Sequence, residues 1–321
     1  MGEVSTTVKR RRRALSLSKG WLRRESNPLL IKELRVRMRG ARAFVVLTVY
    51  LLLLSCFTSI IYYSYSSLSR APGGGPDMVY LGKTVFAGVV LIEILLVTFI
   101  TPAFTAGTIS GERERKTYEL LRTTLLPAGK LVVGKLGSAL TYMFLLILAA
   151  VPLESLAFIL GGVVMEELML ALVILLVTAF AFAAVGLLFS SLAHTTLVST
   201  VLVYSAALLM SVGLPALLLF LSILLGPLVS GYSLSPPSWI VQAVLHYALY
   251  LAAGLSPITA AIFTEATLEE HNTIWIFWEN VGATHRIPIP SAWIVYAVVY
   301  LAVGLVSLLA AIARVRQQER R

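Results

Sequence analysis

Long apolar runs alternate with short polar breaks along most of this chain, and the pattern predicts an all-α bundle of about six membrane-spanning helices. The first run covers about Ala43–Tyr65, and its Tyr62, Tyr63 and Tyr65 fit an interfacial aromatic belt. Three successive glycines mark a turn at Arg70–Pro76 before the second run, about Lys83–Thr105. The third, Leu131–Leu160, exceeds the ~20 residues a bilayer needs; Pro152 and Glu154 lie near its far end, so its membrane part is expected to stop before the run does. Gly161–Glu167 reads as a short acidic turn, Leu168–Ser191 as the fourth span and Ser190–Thr196 as another turn. The fifth run, Leu197–Val229, is expected to be interrupted at Gly213-Leu214-Pro215. The last span is Ala292–Ala313.

Residues 230–290 are less regular. Trp239–Leu255 is moderately apolar but contains Gln242 and His246, and prolines bracket it. Charge arbitrates here. With six spans and a cytoplasmic N-terminus, the basic segments (the N-terminal arm, residues 106–135 and the C-terminal tail) fall inside. The acidic turns with Glu166, Glu167, Glu265, Glu269, Glu270 and Glu279 then fall outside, in keeping with the positive-inside rule. A seventh full span at Trp239–Leu255 would break that pattern. A re-entrant or interfacial helix preserves it, as would eight spans with the fifth run split in two. Six is the preferred count.

Composition agrees with the pattern: 58% of the 321 residues are hydrophobic and 13% charged, against ~25% charged in soluble domains. The net charge of +10 is concentrated in the first 42 residues, where 13 Lys/Arg face three Glu, so the remainder sums to zero. Beside a series of spans, such a patch points to an anionic membrane face rather than to nucleic acid. The lone Cys56 sits in an apolar run, which excludes an internal disulfide and a cysteine metal cluster. The first apolar run begins too late for an ordinary cleaved signal.

Two polar segments carry chemistry. Residues 1–26 read as a loose basic tail, and residues 314–321 as a second basic tail. Asn27-Pro28 reads as an N-cap followed by Pro at the first helical position. Residues 27–41 then form an amphipathic interfacial helix, with Lys32, Arg35 and Arg39 on one face and Glu33 within it, although Leu34–Arg39 also alternates as a strand would. The segment 106–126 contains the densely charged run Ile109-Ser110-Gly111-Glu112-Arg113-Glu114-Arg115-Lys116-Thr117-Tyr118-Glu119-Leu120-Leu121. Ser110 suits a helix cap, Glu112 and Glu114 suit the first turn, and Glu112 and Lys116 are spaced as an i,i+4 pair. Such a helix serves either as a docking surface for a soluble partner or as a solvated loop with self-paired charges.

Ile109–Leu121 resembles the signature that follows the second span in ABC-2-type transporter permeases, and Asn27–Arg35 with Arg39-Gly40 resembles that family's entry helix. Order, spacing and hydropathy agree over residues 27–313. The resemblance implies a transmembrane domain over that range, with a coupling helix that contacts an ABC ATP-binding subunit through Ser110, Gly111, Glu112, Arg113, Glu114, Arg115, Thr117 and Glu119. Lys116 stands where many members have glycine and is expected to lengthen the helix. The resemblance further implies a working unit of two permease chains (a second copy or a paralogue) and two ATPase subunits. It implies alternating access, export of an unidentified substrate, and residence in the inner (plasma) membrane of a prokaryote with both termini cytoplasmic. The sequence has no G-x-x-x-x-G-K-[ST] phosphate loop. ATP and Mg are therefore expected on the partner ATPase, with no cofactor on this chain and no catalytic residue.

Glu93, near the middle of the second span, is a candidate for the translocation path because a carboxyl at that depth is costly, while a hydrogen-bonded structural role is the alternative. Glu154 is expected at the interface, and Glu265, Glu269 and Glu270 as a solvated charged turn. His194, His246, His271 and His285 lack metal-ligand spacing. ATP-driven signalling or assembly is the competing function, and a polytopic membrane enzyme with its site in 230–290 is a more distant one.

Overall fold

Each long apolar run folds into a helix that satisfies its own backbone hydrogen bonds, as lipid requires. A computed structural model describes residues 41–68, 78–116, 127–229, 238–281 and 285–319. The candidate entry helix with Asn27, Pro28, Lys32, Glu33, Arg35 and Arg39, the turn at 70–76, and Thr117 and Glu119 lie outside the described residues.

The order is α1 (Ala41–Leu68), α2 (Met78–Thr105), a single turn α3 (Ser110–Glu114), α4 (Ala128–Leu160) and α5 (Met165–Leu192). Next come α6 (Thr196–Leu208), a π turn (Leu209–Gly213), α7 (Leu214–Val229), α8 (Trp239–Ala253) and α9 (Pro257–His271). Strands β1 (Ile276–Val281) and β2 (His285–Pro290) precede α10 (Ala292–Glu319). Six helices are long and apolar enough to cross a membrane: α1, α2, α4, α5, the α6–π–α7 unit and α10. The chain is an all-α, multi-pass membrane bundle. Its outer faces expose Phe44, Leu52, Leu219 and Phe220, side chains that lipid accommodates and water does not.

Helix α5 is the centre of the bundle. Ala179, Ala183, Ala184 and Gly186 keep its surface low, so α2 and α10 pack against it at close range. A side chain at Gly186 would run into Thr105 of α2. The larger core residues, among them Tyr50, Ile94, Met143, Leu146 and Phe182, fill the space between α1, α2, α4 and α5.

Three expectations need correction. Glu154 is 5% exposed, in the core rather than at an interface, because helix α4 runs through Pro152 to Leu160 and keeps it packed in the bundle. The fifth run is not broken at Gly213-Leu214-Pro215. Pro215 has no N–H to give to the turn before it, and the chain absorbs this by widening to a π turn just upstream. Finally, residues 257–290 are not a simple charged loop. They form α9, with Pro257 at its start and Asn272 in the left-handed conformation at its end, followed by an antiparallel hairpin.

In that hairpin Phe277 pairs with Ile289, Glu279 with Ile287 and Val281 with His285. These residues share one face. Phe277, Val281, Ile287 and Ile289 of that face are buried with Ala243, Tyr247 and Tyr250 of α8. Helix α8 has 15 residues, a rise of about 22 Å, short of the ~30 Å hydrocarbon core. A close turn against α10 joins it to α9: a side chain at Gly254 would strike Val295, and the Tyr300 hydroxyl donates to the Leu255 carbonyl (3.0 Å).

Candidate functional site

The charged segment after α2 is built by replacing backbone hydrogen bonds with side-chain ones. Ile109 and Ser110 both donate their backbone N–H groups to Ser190 Oγ of α5 (2.9 and 3.1 Å). The Ala106 carbonyl accepts from the hydroxyls of Ser110 (3.3 Å) and Ser199 of α6 (2.5 Å). The Thr105 carbonyl accepts from the N–H and hydroxyl of Thr108 (3.2 and 2.8 Å). The i→i+4 ladder is thus interrupted over Thr105–Ile109, and the chain bends there into α3. The cap expected from Ser110 comes instead from Ser190, a residue 80 positions away.

The charges of this elbow are largely spent inside the chain. Lys135 of α4, its side chain 3% exposed, donates to Glu112 Oε1 (2.7 Å) and to the Thr108 carbonyl (3.0 Å). Glu112 therefore pairs across to α4 rather than with Lys116. Arg113 donates to the carbonyls of Ser191 (3.3 Å), in the last turn of α5, and Ala193 (3.0 Å), just past its end. Glu114 accepts from the backbone N–H of Thr196 (2.9 Å) and from its hydroxyl (2.8 Å), at the first turn of α6. Gly111 lies against the Thr196 methyl, and only Glu114, Arg115 and Lys116 of the described elbow residues are exposed.

The helix is also shorter than expected. It ends at Glu114, and Lys116 takes a left-handed conformation (φ 55°), which closes the turn instead of lengthening it. That conformation favours glycine, so the lysine here keeps the turn at some cost in strain.

Deeper in the bundle, Glu93 is fully buried and faces α1 and α4. Tyr50 donates to its Oε1 (2.9 Å), and the Glu154 carboxyl lies beside it. Helix α4 runs antiparallel to α2 and continues past Pro152, which brings Glu154 level with Glu93. The Tyr50 hydroxyl satisfies one carboxyl oxygen of Glu93, while Oε2 is buried without a hydrogen-bond partner among the described residues, an arrangement that is costly in an apolar core. Truncation is expected to hurt more than neutralisation. Glu93→Gln keeps an acceptor for Tyr50, whereas Glu93→Ala leaves buried groups without a partner, at about 1–3 kcal/mol. Thermal denaturation in detergent checks this, and an Ala variant as stable as the parent would remove the cluster's structural weight.

A third feature lies where α9 crosses α2 and α5. A half-open cavity of about 330 Å³ is lined by Phe86 and Val90 of α2, Leu170 and Ile174 of α5, and Ile262 and Glu265 of α9. Glu167 and Glu269 also border it, whereas Glu93 does not. Lys83 pairs with Glu269 (3.3 Å), and Glu167 accepts from the Val164 N–H (3.2 Å), which caps the start of α5. Burial, together with the nearby Glu167 and Glu269 carboxylates, pushes the Glu265 carboxyl up to about 7 against the opposing pull of Lys83.

No family model matches the chain, and no curated protein matches it.

The residues thus sort by what they touch. The structure brings Ser110, Glu112, Arg113 and Glu114 together with Lys135, Ser190, Ser191 and Thr196, partners the local sequence gives no reason to join. Sequence reading missed Ser190 and Lys135, and also Glu265 as a cavity residue. One signal for the last was present: Ala261, Glu265, Leu268 and Glu269 recur at three- and four-residue steps, the spacing of a helix face.

Proposed function

We propose that the chain is the membrane-spanning permease subunit of an ATP-binding cassette transporter of the ABC-2 type, an exporter that a separate ATPase subunit drives by alternating access. The observation that carries this reading is the elbow at Thr105–Lys116. Its sequence resembles the family's coupling segment, and its side chains tie α2 to α4, α5 and α6 while leaving Glu114, Arg115 and Lys116 at an exposed tip. A push on that tip moves four spans together, which is what coupling ATP hydrolysis to helix motion requires. ATP and Mg bind the partner ATPase, this chain catalyses nothing, and a second copy or a paralogue completes the unit. The chain resides in the inner (plasma) membrane of a prokaryote, both termini and the elbow are cytoplasmic, and α8, α9 and the hairpin cap the opposite face.

The test uses the exposed tip, not the buried ties. Arg115→Glu combined with Lys116→Glu alters residues with no bonded side-chain partner among the described residues, so insertion and thermal stability should match the parent. Co-purification of the ATPase and its membrane-dependent ATP hydrolysis should fall at least tenfold. Unchanged hydrolysis would sink the coupling assignment. Hydrolysis that depends on the chain but moves no substrate in proteoliposomes would favour ATP-driven signalling or assembly.

A further inference from the structure

We propose that the cavity between α2, α5 and α9 binds a monovalent organic cation with an apolar body, whose charge is held by Glu265. The cavity is half-open and about 330 Å³, at the small end of the ~300–1,000 Å³ range of ligand pockets. Its floor is hydrocarbon: Phe86, Val90, Leu170 and Ile174 offer no hydrogen bond to a ligand. Its polar residues are Thr264, whose hydroxyl donates to the Ala260 carbonyl (2.6 Å), and three glutamates whose carboxyls are not equally available. Glu269 is paired with Lys83, and Glu167 is engaged by the Val164 N–H. Glu265 has neither an ion pair nor a hydrogen bond among the described residues, yet it is half-buried and lines the cavity.

Three carboxylates against one lysine make the site electronegative, and an apolar floor beneath a single uncommitted carboxylate matches a ligand with one positive charge and a hydrophobic body. A bare metal ion fits poorly. Among the described residues no three His, Cys, Asp or Glu side chains converge as ligands, and a hydrocarbon floor gives a small hydrated ion nothing. An anionic amphiphile would meet Glu167 and Glu265 as like charges.

The groups facing Glu265 are Glu167 from α5, Lys83 from α2 and Glu269 from its own helix. Its carboxyl titrates at about 7, so the charged form that attracts a cation prevails above that pH. A site competent in only a fraction of molecules binds more weakly by that fraction. Affinity should therefore be about tenfold weaker at pH 6 than at pH 8.

The experiment is equilibrium dialysis of the purified full chain in detergent against radiolabelled tetraphenylphosphonium, with tetraphenylborate as the anion of the same shape. The expected result is saturable binding of the cation at one site, with the pH dependence above, and no matching site for the anion. Glu265→Gln should weaken binding about tenfold at pH 8 and flatten the pH profile. Ile262→Trp, at an exposed position on the cavity wall, should weaken binding equally at both pH values, because it removes space and not charge. The proposal is overturned if no saturable binding is found, if Glu265→Gln binds like the parent at pH 8, or if the anion competes for the same site. Binding by the isolated chain requires no ATPase, so this result and the permease reading stand or fall separately.

Discussion

Glu112→Lys is expected to cost about 3–5 kcal/mol of stability, the penalty of leaving a buried charge beside a like charge. Lys135, its side chain 3% exposed, has no solvent to turn to when Glu112 is reversed. The exchange Glu112→Lys with Lys135→Glu should recover most of that loss. It should stop about 1 kcal/mol short, because a carboxylate at 135 cannot donate to the Thr108 carbonyl as the ammonium does. Denaturation of the two single variants and the exchange forms a double-mutant cycle. If the reversal costs less than about 0.5 kcal/mol, the pair contributes no more than an exposed one.

The second large effect is expected at the crossing of α2 and α5. Gly186→Ala would stabilise an exposed helix by up to about 1 kcal/mol. Here the new methyl would run into Thr105 Oγ1 and Cβ, so a net loss of about 1–3 kcal/mol is expected from overpacking. Gly186→Leu should lose more and loosen the elbow, since Thr105 leads directly into the bend. Thr105→Gly added to Gly186→Ala moves the gap from one helix to the other and should restore much of the stability. The same denaturation measurement decides it: a stabilising Gly186→Ala would mean the two helices are farther apart than described.

The spans were legible because lipid imposes one simple demand, about 20 apolar residues in a row, and all six long apolar helices answer to it. The wiring of the elbow was not. Ser190 and Thr196 look like ordinary turn residues until the fold carries them to Ile109 and Glu114, across 81 and 82 positions. Glu154 was misplaced because it stands near the end of its apolar run, whereas helix α4 continues through Pro152 and buries it. Helix α9 and the hairpin went unseen because their apolar faces are short. Four inward residues on two six-residue strands give a weak alternation, and it acquires meaning only once Tyr247 and Tyr250 of α8 are known to cover it.

The π turn at Leu209–Gly213 has a consequence of phase. An α-helix advances 100° per residue, and a turn that closes five residues on instead of four accommodates one extra residue without a break. Everything after it is rotated by about that angle relative to an uninterrupted helix. One half of the span therefore addresses α2 and α5 through α6, while the other half addresses α8 through α7. Deleting a single residue within Leu209–Gly213 would bring the two halves back into step and aim one set of contacts at the wrong neighbour. The length of this span is thereby fixed to the residue, although its composition, a long run of interchangeable aliphatic side chains, gives no hint of it.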